Sequence, residues 1–135
     1  MTIEWATAAD EAFIADRDHH ILASLIGRKI ENREYYVFRN ELGDRIGWMR
    51  YGYFWDNTPF LNMIWLDERE RGKGFGKTAT LLWEQHMREQ GCKLVMTSTQ
   101  ADEDAQHFYR KLGYKDSGCL MWENQALEII LTKAI

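Results

Sequence analysis

Gly72, Gly74 and Gly76 stand at alternate positions, interleaved with Arg71, Lys73, Phe75 and Lys77 and followed by Thr78. An apolar run ending at Leu66 precedes them, and a helical pattern begins at Lys77. A strand, a glycine loop and a helix start, in that order, turn backbone N–H groups and a helix dipole towards one anion. Glycine at alternate positions lets the main chain approach that anion without a Cβ in the way. Arg71, Lys73 and Lys77 add full positive charges. The chemistry these residues suit is the gripping of phosphate or pyrophosphate.

The loop admits three readings. Gly76-Lys77-Thr78 is the tail of a nucleotide P-loop, G-x-x-x-x-G-K-[ST], but that pattern needs glycine where Arg71 stands. A dinucleotide fingerprint, G-x-G-x-x-G, needs glycine at Lys77, and no βαβ start precedes it. The third reading begins at Arg71 and takes Arg71-Gly72-Lys73-Gly74-Phe75-Gly76 as [RQ]-x-x-G-x-[GA]. Downstream lies a second patterned stretch, Ala105-x-x-Phe108-Tyr109-Arg110-Lys111-Leu112-Gly113-Tyr114. With these two motifs in order, the sequence resembles the GNAT superfamily of acyl-CoA-dependent N-acyltransferases, and the resemblance covers essentially the whole chain.

That resemblance implies a mixed α/β (α+β) fold, with a central, mostly antiparallel sheet of six to seven strands flanked by about four helices. It implies that residues 1–135 form a single domain. It also implies acetyl-CoA as cosubstrate, with its pyrophosphate on Arg71, Gly72, Lys73, Gly74, Phe75, Gly76, Lys77 and Thr78. By position, the main chain of Ile64, Trp65 and Leu66 would hold the thioester carbonyl and the pantetheine arm. Tyr109 occupies the place of the family tyrosine that protonates the leaving thiolate, with Phe108 beside it in the cofactor-binding set. Read without the resemblance, Tyr109 is one more residue of an apolar helix stripe with Phe108 and Leu112. Many relatives carry asparagine seven residues before that tyrosine. Here the position is Asp102, read either as a cofactor contact or as a helix cap.

The elements that must position these groups follow from periodicity. Ile3 to Ala6 reads as a strand, and Ala8 to Ile30 as two helices or one helix broken near Asp16 to His20. Tyr35 to Arg39 and Arg45 to Trp55 form a hairpin about a turn at Asn40 to Asp44. Asp56 to Pro59 is a second turn, and Phe60 to Leu66 is the strand that enters the glycine loop. Ala79, Leu82, Trp83 and His86-Met87 make one helical stripe closed by Gly91. Lys93 to Thr99 is a strand, and Asp102 to Leu112 is a helix closed by Gly113. Tyr114 to Trp122 and Ala126 to Lys133 are the last strands. Tight turns and helical connections together imply a mixed sheet with helices on its faces.

Composition bounds the partners. Of 135 residues 45% are apolar and 28% charged, with six each of Trp, Tyr and Phe and a net charge of −4, which argues against a nucleic-acid coat. No apolar run approaches the ~20 residues of a membrane span, and the first residues lack the basic start of a signal peptide. A cytoplasmic chain is therefore expected, with Cys92 and Cys119 reduced and serving as small packing residues. His19-His20 lacks a Cys, Asp or Glu at zinc-like spacing, so no metal is expected and the pair reads as a partly exposed helix start. Dimerisation is common in the family and the aromatic content permits it.

The acceptor is left open between a small-molecule and a peptide amine. An alkyl amine has a pKa near ~10.4 and must lose a proton, yet Phe60 to Leu66 contains no acid. Asp56, Glu34 and Glu123 are the candidate bases by placement. Tyr51, Tyr53 and Trp55 alternate onto one face ending at Asp56, which suits either a cationic amine or sheet packing. The missing strand acid also fits a non-catalytic acyl-CoA-binding module.

Overall fold

A computed structural model describes all 135 residues. Seven strands follow the hydrogen-bonded order β1-β2-β3-β4-β5-β7-β6, accompanied by four α-helices. By contacts the chain divides into two compact units, residues 1–51 with 63–79 and residues 52–62 with 80–135.

The first unit begins with β1 (Thr2–Trp5), antiparallel to β2 (Tyr35–Arg39) with Trp5 opposite Tyr36. Strand β2 is antiparallel to β3 (Arg45–Phe54), with Val37 opposite Trp48. The turn between them is held by Asn40, whose Oδ1 accepts from the N–H groups of Leu42 and Asp44 at 2.9 and 3.0 Å. Helices α1 (Glu11–Ala15) and α2 (Ile26–Glu31) bury Ile14, Ile26 and Ile30 with Tyr35, Val37 and Trp48 in one apolar cluster. Each such aliphatic side chain contributes about 1.5–3 kcal/mol on leaving water.

Residues 16–25 separate α1 from α2, where the periodicity broke, and end in a short 3-10 turn at Ala23–Leu25. His19 and His20 are exposed in that connection and do not start a helix. Asp18 anchors it: the buried carboxylate accepts from Arg50 Nε at 2.8 Å and from the Tyr35 hydroxyl at 2.6 Å. Asp10 is also fully buried, accepting from Arg39, Arg45 and the Thr7 N–H at 2.7, 2.7 and 2.9 Å. Buried carboxylates persist only with such partners.

The second unit contains most of α3 (Phe75–Glu89), then β5 (Leu94–Gln100), α4 (Ala105–Lys111), β6 (Lys115–Leu120) and β7 (Glu128–Ala134). Strand β5 pairs antiparallel with β7 from Leu94↔Ala134 to Gln100↔Glu128, and β7 pairs antiparallel with β6. Strand β4 (Thr58–Leu66) is parallel to β5, with only Phe60↔Met96 and Leu61↔Thr97 in register. Thr97 seals that short ladder by donating its hydroxyl to the Leu61 carbonyl at 2.9 Å.

Five expectations need correction. Helix α3 starts at Phe75 and not Lys77, so Gly76 lies inside its first turn. Helix α4 starts at Ala105, and the flanking Asp104 makes no side-chain cap bond. Asp102 is exposed in the preceding turn and caps nothing. Trp55 leaves the strand pattern: with φ of 54° beside Asp56 at 59°, it forms the turn itself and is 81% exposed. Cys119 is exposed on β6 and is not a packing residue; Tyr51 is buried, in line with the sheet-packing alternative.

Candidate active site

The glycine loop leaves β4 through a short helical turn at Glu68–Glu70, in which the Asp67 carboxylate accepts from the Arg69 N–H at 3.1 Å. Arg71 folds back to donate Nε to the Leu66 carbonyl at 3.0 Å, which closes the loop on the end of the strand. Gly72 and Gly74 have φ of 74° and 83°, a left-handed conformation that costs an L-residue about 1–2 kcal/mol. A Cβ at either would meet no protein atom within 4 Å, so conformation and an open outer side, not crowding, select glycine here.

The first i→i−4 bond of α3 runs from the Thr78 N–H to the Gly74 carbonyl at 3.1 Å. The N–H groups of the first helical turn precede that ladder, and no earlier helix carbonyl can satisfy them. The Thr78 hydroxyl also donates to the Gly74 carbonyl at 3.1 Å, a role unlike that of a metal-binding P-loop hydroxyl. Lys77 is exposed, and Lys73 pairs with Glu70 at 3.0 Å. Left-handed glycines, a helix start and exposed Arg71, Lys73 and Lys77 fit an anion such as a pyrophosphate. A cavity of about 300 Å³ beside the loop reaches Phe75 and Glu70, but its other lining residues, Met1, Asn40, Glu41, Leu42 and Ile46, bring a second carboxylate and no lysine or arginine, which does not suit a pyrophosphate.

Ile64, Trp65 and Leu66 lie on β4 beyond Leu61, where the parallel ladder with β5 ends. The Trp65 ring is used in packing, stacked on Trp48 with centroids 6.4 Å apart and edge-on to Phe13 at 6.0 Å.

Tyr109 is buried on α4, with Phe108 edge-on at 5.0 Å and Tyr114 edge-on at 5.4 Å. Burial pushes its hydroxyl up to about 12, partly offset by hydrogen bonding with Thr97. The phenol therefore keeps its proton throughout the neutral range. The helix ends in a Schellman turn: Gly113 (φ 95°) donates to the Arg110 carbonyl at 3.0 Å, and Tyr114 to the Tyr109 carbonyl at 3.1 Å. The Tyr109–Tyr114 ring contact is the apolar contact that accompanies this turn. Much of the second motif is thus helix-ending physics that also fixes Tyr109.

Among the candidate bases, Glu34 is paired with Lys29 at 2.6 Å, whereas Asp56 and Glu123 are exposed in turns. Glu84, Thr97 and Thr99 were not foreseen. Glu84 is 2% exposed within α3, and the buried Thr99 hydroxyl on β5 has no hydrogen-bond partner. Their only sequence signal is a polar residue inside an apolar element. No cluster of His, Cys, Asp or Glu is arranged to hold a metal ion.

The fold is shared with solved acetyltransferases. Ard1 from Thermoplasma volcanium superposes with a TM-score of 0.83 at 18% identity, covering 99% of this chain and 97% of that one. The ribosomal-protein-alanine N-acetyltransferase from Brucella melitensis gives 0.78 at 18% identity, with both chains covered in full. The spermidine/spermine N-acetyltransferase SpeG from Vibrio cholerae, in complex with manganese ions, gives 0.78 at 14% identity, covering 98% of this chain and 91% of that one. At these identities the likeness establishes the mixed α+β architecture. The acetyltransferase (GNAT) family matches residues 2–114, and the chain belongs to that family. No curated protein matches the sequence.

Proposed function

We propose that residues 1–135 are a single acetyl-CoA-dependent N-acetyltransferase domain, acting by direct transfer to a primary amine. The observation that carries this reading is the pair of left-handed glycines, Gly72 and Gly74, leading straight into the first turn of the 15-residue helix α3. In this reading the loop N–H groups with Arg71, Lys73 and Lys77 hold the coenzyme A pyrophosphate. Phe75, Gly76 and Thr78 complete the cradle, while Asp102 and Phe108 contact the cofactor. Main-chain groups of Ile64, Trp65 and Leu66 hold the pantetheine arm and thioester carbonyl, a strand-like recognition that the short β4–β5 ladder supports.

Acetyl-CoA supplies the activated acyl group. Tyr109, protonated at neutral pH, donates to the departing sulfur. With no acid on the part of β4 given this role, the amine proton leaves through water or through a carboxylate elsewhere, of which Asp56 and Glu123 are exposed in turns.

The acceptor is proposed to be a small-molecule or peptide amine. Release of coenzyme A thiol should be followed with spermidine, an alanine-led peptide and phosphinothricin; the last is the acceptor named for a similar solved structure. Amine-dependent thiol release is expected with at least one class. Saturable acetyl-CoA binding without release on every amine would instead support a non-catalytic acyl-CoA module.

A further inference from the structure

Glu84 is a carboxylate inside the second unit, on the face of α3 shared by the buried Thr80 and Met87. Its Oε1 accepts the Tyr114 hydroxyl proton at 2.9 Å and its Oε2 accepts from Lys133 Nζ at 2.8 Å. Lys133 also lies over the Tyr114 ring, 5.6 Å from its centroid. Tyr114 is in turn the residue whose N–H takes the Tyr109 carbonyl and whose ring meets the Tyr109 ring edge-on. Hydroxyl, ring and main chain of Tyr114 are each tied to a different partner.

A buried ion pair is a poor way to gain stability, because well-packed apolar residues in its place are often as good or better. What a charged pair adds is direction: the Tyr114 hydroxyl has one place to point, which an apolar neighbour would not enforce. Tyr114 cannot turn without breaking its bond to Glu84 or losing its contact with Tyr109.

We propose that Glu84 and Tyr114 are positioning residues for Tyr109, holding the C-terminal turn of α4 so that the Tyr109 phenol keeps one orientation towards the reacting sulfur. This rests on the reading of Tyr109 as the proton donor. Lys133 holds the other oxygen of the carboxylate, which fixes its orientation towards Tyr114.

The test is a double-mutant cycle in kcat, using acetyl-CoA and the amine giving the fastest thiol release. Glu84→Gln takes the charged partner from the half-buried Lys133 inside the unit and risks destabilising the fold. Tyr114→Phe removes only the hydroxyl and leaves the Glu84–Lys133 pair and the ring contact in place. Acetyl-CoA stoichiometry by calorimetry counts folded sites for each variant.

Tyr114→Phe is expected to lower kcat about tenfold per folded site, since small misplacements of a reacting group carry large rate costs, with acetyl-CoA affinity unchanged. In the Tyr109→Phe background it should cost nothing further, because the group it orients is gone. An equal loss in both backgrounds, or none in the wild-type background, overturns the proposal while leaving Tyr109 as the acid. If Tyr109→Phe alone leaves kcat unchanged, or no amine is acetylated, the reading of Tyr109 fails and the proposal falls with it.

Discussion

Tyr109 offers a proton that its surroundings make hard to remove, and this sets the pH behaviour of the reaction. A phenol held near about 12 loses its proton only far above neutrality, so turnover should rise with pH as the amine deprotonates. No descending limb is expected below about pH 11, and a fall in kcat at pH 8–9, measured with constant ionic strength, contradicts the assignment. Replacing Tyr109 by Phe should lower kcat by about 10²-fold with acetyl-CoA affinity unchanged. Thr99 gives the opposite kind of prediction. Its buried hydroxyl has no partner, and burying such a group costs about 1–3 kcal/mol. Thr99→Val should therefore raise the unfolding free energy by about 1 kcal/mol, read as a higher urea midpoint at unchanged slope. A lowered midpoint shows that the hydroxyl is satisfied in solution.

At the scale of elements, the loop between β4 and α3 concentrates the conformational demand. Gly74→Ala must place a Cβ at φ 83°, at about 1–2 kcal/mol. Relief of that strain would distort the loop, so acetyl-CoA affinity should fall about tenfold while far-UV circular dichroism stays unchanged; unaltered affinity would remove Gly74 from the cradle. This loop was legible from sequence because glycine spacing reports backbone conformation directly. Its helix was placed two residues late, since Phe75 and Gly76 carry no helix-starting signal that outweighs the glycines around them. The start of α4 was missed for a related reason. Asp102 and Asp104 are both plausible cap residues by type, and neither is seen to act as one through its side chain: Asp104 flanks the helix without a side-chain bond. Trp55 misled more strongly, because alternation continues through the turn on paper while the chain reverses at a positive φ.

For the whole molecule, the fold class and the order of strands and helices could be read from periodicity. Buried charge could not, because an Asp, Glu or Arg looks the same in sequence whether solvated or paired. Asp10 shows the consequence. Burial alone would raise its carboxyl, but the Thr7 N–H, Arg45 and Arg39 together hold it below the usual value. A carboxyl depressed in the folded state contributes stability above its unfolded pKa, and that contribution is lost as pH falls through the folded value. Stability by urea titration should thus decline below about pH 4. Asp10→Ala takes one partner from each of two part-exposed arginines, while Arg39 keeps Glu4 and Arg45 keeps the Ala9 carbonyl. It should cost about 1–3 kcal/mol at neutral pH. At the alkaline end the sign reverses. Burial raises Tyr35, Tyr109 and Tyr114, so the folded chain retains protons that the unfolded chain releases above about pH 10. Stability should fall as pH rises from about 10 towards 12, and a flat profile there argues that these phenols reach water.

The most direct test returns to the residues between Arg71 and Thr78. Gly76-Lys77-Thr78 matches the tail of a nucleotide loop, while Arg71 fits the coenzyme A reading. Calorimetric titration of the wild-type protein with acetyl-CoA and, separately, with ATP distinguishes the two. Saturable binding of acetyl-CoA, weakened in Gly74→Ala, with no heat from ATP is the predicted result. Saturable binding of ATP with acetyl-CoA inert would contradict the assignment of this loop as a coenzyme A pyrophosphate site.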